Sequence, residues 1–252
     1  MKCFLKNLQS DIYKITHSAL LPIHLILPIV GAAIFLAYYI ISPWEEAQKV
    51  SAYFQVLAMV FPVLIGVITV MLSEKELQAG SFQLVLSTPC KKCLPHFSMI
   101  FAITLCGFIA SMLAAVGFGF VFRLMGNQLF TMSLYVKAGL LLFYGNISLY
   151  ILEYLLSFAF GKGVGLGLGI IGSLLSALLL TGLGDAIWPF LPWSIPTRFC
   201  SILVESTLGQ MNFIGQHGVK QGFLFIVISS ILLLITVNFW STKWEGRKDE
   251  ND

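Results

Sequence analysis

Charge is what this sequence has least of. Charged residues make up 11% of the 252 residues, whereas hydrophobic residues make up 58% and the mean hydropathy is +0.88. A soluble domain carries about 25% charge, so the composition predicts an all-α polytopic membrane protein. The net charge of +3 is small and its basic residues are scattered. Nucleic acid is therefore not an expected partner.

Cysteine is also scarce. An odd number of cysteines spread over different segments does not indicate a disulfide framework; the five are Cys3, Cys90, Cys93, Cys106 and Cys200. The spacing of Cys90, Cys93 and His96 offers three potential metal ligands. A structural zinc site generally needs four, and no second pair lies nearby, so no metal site is expected.

Catalytic and nucleotide-binding motifs are missing. The sequence has no HExxH and no GxxxxGK[ST], so we expect neither a zinc protease nor a P-loop for ATP. The pair Glu45–Glu46 is reminiscent of intramembrane CAAX-type proteases, but Val50 stands where their arginine is expected. The chain is therefore not expected to be an enzyme or to bind a cofactor of its own.

Glycines in the fifth apolar run match the dinucleotide-binding pattern GxGxxG, but their context does not fit it. Gly167, Gly169 and Gly172 satisfy GxGxxG, but no strand precedes them and the whole segment is apolar. Small residues also recur there at every fourth position, which favours close helix packing; they are Gly161, Gly165, Gly169, Ser173 and Ala177.

Long apolar runs are what the sequence does have. About 20 apolar residues cross a bilayer as a helix, and six such runs predict spans at about 19–41, 53–72, 97–122, 138–160, 163–183 and 222–240. The first run is too long for the h-region of a signal peptide. We therefore expect it to stay in the mature chain, with 1–252 forming a single membrane domain.

The segment before the first run predicts a helix at the membrane interface. Within residues 1–18, one helical face carries Leu5, Leu8, Ile12 and Ile15 while the lysines lie elsewhere. A frayed tail is the alternative.

The longest polar interruption in the first half is the loop 73–96. A short helix is predicted to start at Gly80–Ser81 and to end before Pro89. Phe82 and Leu86, four residues apart, would share one face and could dock a soluble partner. The alternative is a positively charged loop that only fixes topology.

The segment 184–221 is hydrophobic although it connects two spans. Its aromatic residues suit the bilayer interface, and its prolines prevent a straight helix. We expect one or two short re-entrant or interfacial helices forming an outer hairpin; a plain loop with an aromatic anchor is the alternative. The residues concerned include Trp188, Phe190, Trp193 and Phe199, with Pro189, Pro192 and Pro196.

One acidic residue, Glu153, lies deep in a predicted span. Burying a charge there is costly, so such a residue usually has a partner, and His24 and Lys162 are candidates. Contact with a substrate and a structural hydrogen bond both remain open, whereas a proton relay would require more groups of this kind.

The distribution of lysine and arginine predicts the orientation. Positive residues are enriched in cytoplasmic loops, and one side of the predicted topology holds ten of the 15. Both termini and the loop 73–96 should therefore be cytoplasmic. Cys200 should then be reached by reagents from outside, and Cys90 and Cys93 should not.

The layout resembles the permease subunits of type-2 ABC exporters. The residues that carry the resemblance lie in the loop 73–96 and match an acidic start, a small residue and glycine, a leucine-rich turn, then proline and a basic residue; they are Glu74, Glu76, Ala79–Gly80, Phe82, Leu86, Pro89 and Lys91. In that family this loop is the coupling helix, which sits on the ATP-hydrolysing subunit.

A closer resemblance is to the permeases of lantibiotic self-protection transporters. It rests on Tyr53-x-Gln55, Phe61–Pro62, Gly80-x-Phe82–Gln83 and Trp188…Pro192–Trp193…Pro196-x-Arg198. It implies an ATPase dimer carrying ATP and Mg, a second and often different permease chain, and an amphiphilic peptide expelled from the cell membrane to give immunity or resistance. The predicted orientation places Trp188, Trp193 and Arg198 on the outer face, and the intramembrane polar residues Glu153 and His24 are candidates for a substrate path.

Two other functions fit the same residues. A type-2 permease could export a drug, a lipid or a polysaccharide, and a membrane subunit could act as a scaffold or sensor without transporting anything. The second predicts that peptide does not stimulate a partner's ATPase.

Overall fold

The computed structural model describes residues 2–209 and 212–247, and this part of the chain is helical and has no strand. The α-helices are α1 Lys2–Thr16, α2 Leu20–Ile41, α3 Glu46–Gln78, α4 Gln83–Leu86, α5 Cys93–Leu124, α6 Met132–Phe160, α7 Lys162–Leu178, α8 Ile195–Thr207 and α9 Val219–Lys243. Two 3₁₀ turns, Gly182–Gly184 and Trp188–Phe190, lie between α7 and α8.

Five of the described helices, α2, α3, α5, α6 and α9, are long and apolar enough to cross a membrane. The predicted multi-pass membrane character is therefore confirmed. The predicted fifth span corresponds to α7, which has 17 residues and rises only about 25 Å, less than the roughly 30 Å of a hydrocarbon core. The count of six spans stays a prediction.

Several helices extend beyond the apolar runs that indicate them. Helix α3 has 33 residues, because a capping box starts it well before the apolar run: Gln48 accepts a hydrogen bond from the backbone N–H of Glu45 at 3.2 Å, and the Glu45 side chain accepts one in return. Its far end projects past the apolar run to Gln78. The loop 73–96 is thus mostly helical, and only residues between α3 and α5 form the connection.

Four segments meet at one end of the molecule, which we call the loop end: α1, the connection 79–92, the α6–α7 turn and residues 244–247. Arg247 connects residues 244–247 to the ends of α3 and α6, because it donates to Glu74 at 2.5 Å and to the carbonyl oxygen of Ser157 at 3.3 Å. Gly161, in the α6–α7 turn, has φ +90° and lies against the Arg247 guanidinium. The sequence predicts the same four segments on one side.

Hydrogen bonds also join neighbouring helices and turns at the opposite end. Glu46 accepts the backbone N–H of Leu129 at 2.8 Å, which ties the start of α3 to the α5–α6 turn. Lys49 donates to the carbonyl oxygen of Tyr39 at 3.0 Å, which ties α3 to the end of α2.

Candidate functional site

The connection after α3 begins with a sharp turn. Gly80, Ser81 and Phe82 have φ values of +126°, +50° and +65°. This turn completes the C-terminus of α3, because Phe82 donates its N–H to the carbonyl oxygen of Glu76 at 3.1 Å and Ser81 donates to that of Leu77 at 2.7 Å. A left-handed conformation is strained for residues other than glycine. The surrounding contacts must therefore hold it.

Phe82 provides those contacts, and its predicted orientation is wrong. Its side chain is fully buried, with its ring centroid 4.9 Å from that of Trp244 and 5.8 Å from that of Phe158. The turn points Phe82 into the protein instead of along α4. Leu86 is half-buried against the same cluster, so the two residues do not form an exposed docking face.

The exposed part of the connection is different. Helix α4 is one turn long, and Leu84 on it is 59% exposed. Gln83, Pro89 and Lys91 are exposed beside it. We call these four residues the α4 surface. The sequence places Leu84 on the apolar surface of the short helix, but its periodicity assigns the docking face to Phe82 and Leu86, because it could not show that the chain reverses at residues 80–82.

The predicted acidic pair faces inward. Glu76 is 5% exposed and forms an ion pair with Lys14 of α1 at 2.6 Å. Glu74 pairs with Arg247 at 2.5 Å. Both carboxylates therefore attach other segments to the end of α3, and the structure does not present them to a partner.

Helix α1 is docked by a polar contact that sequence reasoning missed. Asp11 is 6% exposed and accepts a hydrogen bond from Ser98 at the start of α5. Burial raises the pKa of Asp11 to about 6, partly opposed by the Ser98 hydrogen bond and by Lys14. The predicted apolar face of α1 is split, since Leu8 and Ile15 pack inward while Leu5 and Ile12 remain largely exposed.

Two of the cysteines at this end lie closer together than the sequence indicates. Cys3 and Cys90 lie side by side, with Cα atoms 6.6 Å apart, which places α1 against the connection after α4. Counting cysteines could not show that α1 folds back over this connection. The spacing of Cys90, Cys93 and His96 does not bring three side chains together as ligands: Cys93 is buried at the start of α5, and His96 shares a 2.8 Å hydrogen bond with Tyr154.

Glu153 lies in a packed region between α6, α3 and α7. It is fully buried, and neither carboxylate oxygen has a hydrogen-bond partner. The predicted partners His24 and Lys162 therefore do not hydrogen-bond to it. A Cβ at Gly66 would lie 2.8 Å from Oε2 of Glu153, so the carboxyl group packs directly on α3.

The small-residue face of α7 packs against α3 at Gly165, Gly169 and Ser173, as the sequence predicts, whereas Ala177 is exposed. A Cβ at Gly169 would lie 2.9 Å from the carbonyl oxygen of Pro62. Ser173 donates to the carbonyl oxygen of Met59 at 2.5 Å. Glycine is required where backbone meets backbone, so these positions set the close approach of the two helices.

The segment 184–221 folds inward more than predicted. Trp188 is 3% exposed and its ring lies 6.0 Å from that of Phe199, and Trp193 packs on Gly172 of α7. Arg198 donates to the carbonyl oxygens of Leu179 and Thr181, at 2.9 and 2.7 Å, and to Asp185 at 2.7 Å. Arg198 thus caps the end of α7.

Helix α8 packs between α3 and α6. It has 13 residues, about 20 Å of helix, so it does not cross a membrane. Cys200 is fully buried there, and the predicted labelling of Cys200 from outside is wrong for that reason. Gln55 of α3 donates to Ser201 at 3.1 Å, a contact between two hydrophobic helices.

Comparison with known proteins identifies no relative of this chain. No family model, curated protein or solved structure matches this chain. The expected membership of the type-2 exporter permeases therefore rests on the sequence motifs alone.

Proposed function

We propose that this chain is the membrane-spanning permease subunit of an ATP-driven type-2 ABC exporter that expels a lantibiotic or a similar amphiphilic peptide. The observation that supports it best is the α4 surface. Leu84 is exposed on a one-turn helix whose Leu86 lies beside Gly246. The preceding Phe82 hydrogen-bonds to α3 and packs on Phe158 of α6 and on Trp244. An exposed apolar side chain on a helix that is held in this way suits a contact that must transmit movement from a partner to the spans.

The contacts at the loop end indicate how a movement of α4 would be transmitted to the other helices. Movement of α4 reaches α3 through the turn at residues 80–82. The pairs Glu76–Lys14 and Glu74–Arg247 would carry it to α1 and to residues 244–247. Helix α3 packs along α7 without intervening side chains at Gly169. Closure of a bound ATPase would therefore move the α3–α7 pair.

The remaining parts of the proposal follow from the resemblance. ATP and Mg would be bound by a separate ATPase dimer, and a second permease chain would complete the complex. The loop end, with both chain termini, would face the cytoplasm of a multi-pass cell-membrane protein. Helix α7 would then serve as the sixth crossing together with residues 179–183.

Export is tested in cells exposed to a panel of lanthionine-containing peptides. Cells lacking the chain should retain more peptide in the membrane fraction and be killed at lower peptide concentration. Leu84→Asp should behave like the deletion, because it places a charge in a contact whose apolar anchor is commonly worth 2 kcal/mol or more, as an order of magnitude. Ile187→Asp, an equally drastic change at an exposed residue of the opposite end, should preserve binding of the ATPase.

Unchanged peptide retention after deletion would contradict peptide export. If efflux of a drug or lipid fell instead, the cargo assignment alone would be wrong. If Leu84→Asp retained full protection at a normal protein level, the α4 surface would not be the coupling contact.

A further inference from the structure

A lateral cavity of about 260 Å³ opens between α2 and α3. Helix α2 packs mainly on α5 and diverges from α3, which leaves the space unfilled. Its lining is apolar along its length and includes Leu27, Gly31, Val56 and Val60. Pro28 and Gly31 line it on α2, and their small side chains leave the space beside this helix open.

The cavity is slightly longer than one leaflet. On α2 it runs from Ile23 to Phe35 and on α3 from Ile68 to Tyr53, about 18 and 22 Å of helix. Half of a hydrocarbon core of roughly 30 Å is about 15 Å. His24 lies one turn from the start of α2, near the loop end, so the cavity extends from near one membrane surface past the midplane.

One polar group stands at the surface end of this apolar cavity. His24 lines it and is 3% exposed. Its Nδ1 is engaged with the carbonyl oxygen of Leu20 at 2.7 Å, whereas Nε2 on the far edge of the ring has no partner. Because a carbonyl oxygen only accepts, Nδ1 carries the proton of the neutral ring and Nε2 is an acceptor. A buried acceptor without a partner is costly, and a hydrogen-bond donor at this position would satisfy it.

We propose that the α2/α3 cavity binds one acyl chain of a phospholipid from the leaflet at the loop end, with a water molecule that donates one hydrogen bond to Nε2 of His24 and another to the ester carbonyl of that chain. The apolar lining suits the chain, and the unpartnered Nε2 lies at the surface end of the cavity, near the glycerol esters. A peptide cargo would bring many amide groups, for which this lining offers no partners. The inference stands whether or not the chain is an exporter.

The site is tested by photo-cross-linking in nanodiscs. The probe is phosphatidylcholine carrying a diazirine near the end of one acyl chain, and adducts are mapped by mass spectrometry. We expect adducts concentrated at the deep end of the cavity, around Phe35 and Val56. The lipid-exposed face of α9, for example Leu232, should be labelled more weakly.

Two variants and a matched control separate a site from ordinary lipid contact. Gly31→Phe fills the cavity without displacing protein, because a Cβ at Gly31 meets nothing within 4 Å, and it should reduce labelling to the level of α9. Gly167→Phe, at an equally open glycine on α7, should leave labelling unchanged. His24→Leu should reduce labelling about three- to tenfold, the effect of one hydrogen bond.

Equal labelling of the cavity and α9, or labelling insensitive to Gly31→Phe in a protein with normal thermal stability, would overturn the proposal. Efficient disulfide dimerisation of a Gly31→Cys variant in membranes would overturn it too, because it would show a second copy covering the cavity.

Discussion

Two buried carboxyl groups, Asp11 and Glu153, illustrate how position determines what a side chain does here. Asp11 receives a hydrogen bond from Ser98 at the loop end, where water and Lys14 are near. Glu153 lies between helices with neither oxygen bonded. The sequence singled out Glu153 because it interrupts an apolar run, and it gave no reason to notice Asp11, which lies in an ordinary amphipathic segment.

Asp11 should make stability depend on pH. Its pKa is raised from 3.8 to about 6 in the folded protein, so the folded state binds more protons than the unfolded state between these values. The free energy of unfolding should therefore fall as pH rises from about 4 to about 6, by up to about 3 kcal/mol. Thermal denaturation in detergent across this range measures the effect.

Asp11→Asn should flatten this dependence, because asparagine accepts the Ser98 hydrogen bond and does not ionise. Ser98→Ala removes a bond that lowers the pKa, so it should move the fall in stability to higher pH. A profile unaltered by Asp11→Asn would show that another group titrates.

Glu153→Gln tests whether the carboxyl group is functional or only packed. Glutamine has nearly the same shape, and Glu153 forms no hydrogen bond to lose; it also does not line the α2/α3 cavity. We expect the variant to unfold within about 0.5 kcal/mol of the original protein, or to be more stable. Membrane levels and denaturation measure this, and a clear loss of export at a normal protein level would instead make Glu153 part of the cargo path.

At the scale of helices, the contact between α3 and α7 depends on glycine. Periodicity predicted the small face of α7, and the structure confirms it because backbone atoms of α3 lie where a Cβ would project. The turn after α3 could not be predicted in the same way. Three consecutive positive φ values at Gly80, Ser81 and Phe82 depend on burying Phe82 under α6 and Trp244, which are distant in sequence.

Gly169→Ala should separate α3 from α7. Its Cβ would lie 2.9 Å from the Pro62 carbonyl oxygen and 3.2 Å from the Cα of Val63, and backbone atoms cannot rotate away as a side chain does. We expect a loss of about 1–3 kcal/mol, the usual effect of overpacking. Gly167→Ala meets nothing within 4 Å and should be neutral or stabilising, so equal denaturation midpoints for both variants would contradict this account of the contact.

At the scale of the whole molecule, hydrophobic runs predicted the helical membrane architecture and charge predicted which segments lie together. What sequence missed depends on contacts between distant segments. Trp188 was predicted at the surface because aromatic residues favour the interface, yet it packs on Phe199. Helix α7 is shorter than its apolar run because the chain turns at residues 179–184, where Arg198 binds the freed carbonyl groups.

The sequence predicted where the candidate site lies in the chain, but not which of its side chains face outward. The loop 73–96 does carry a short helix, and Pro89 and Lys91 are exposed beside it. The exposed apolar residue is Leu84, whereas Phe82 supports the turn from inside. An exposed leucine and a buried phenylalanine cannot be distinguished by spacing when the helix between them is a single turn.

The central claim is that the α4 surface contacts an ATPase subunit in the cytoplasm. Photo-cross-linking in living cells tests it directly, with p-benzoylphenylalanine replacing Leu84 in one strain and Ile187, at the opposite end, in another. The account predicts that position 84 yields an adduct with a P-loop ATPase identified by mass spectrometry, and that position 187 does not. Correct membrane insertion with no ATPase adduct at position 84, or the same adduct at both positions, would contradict it.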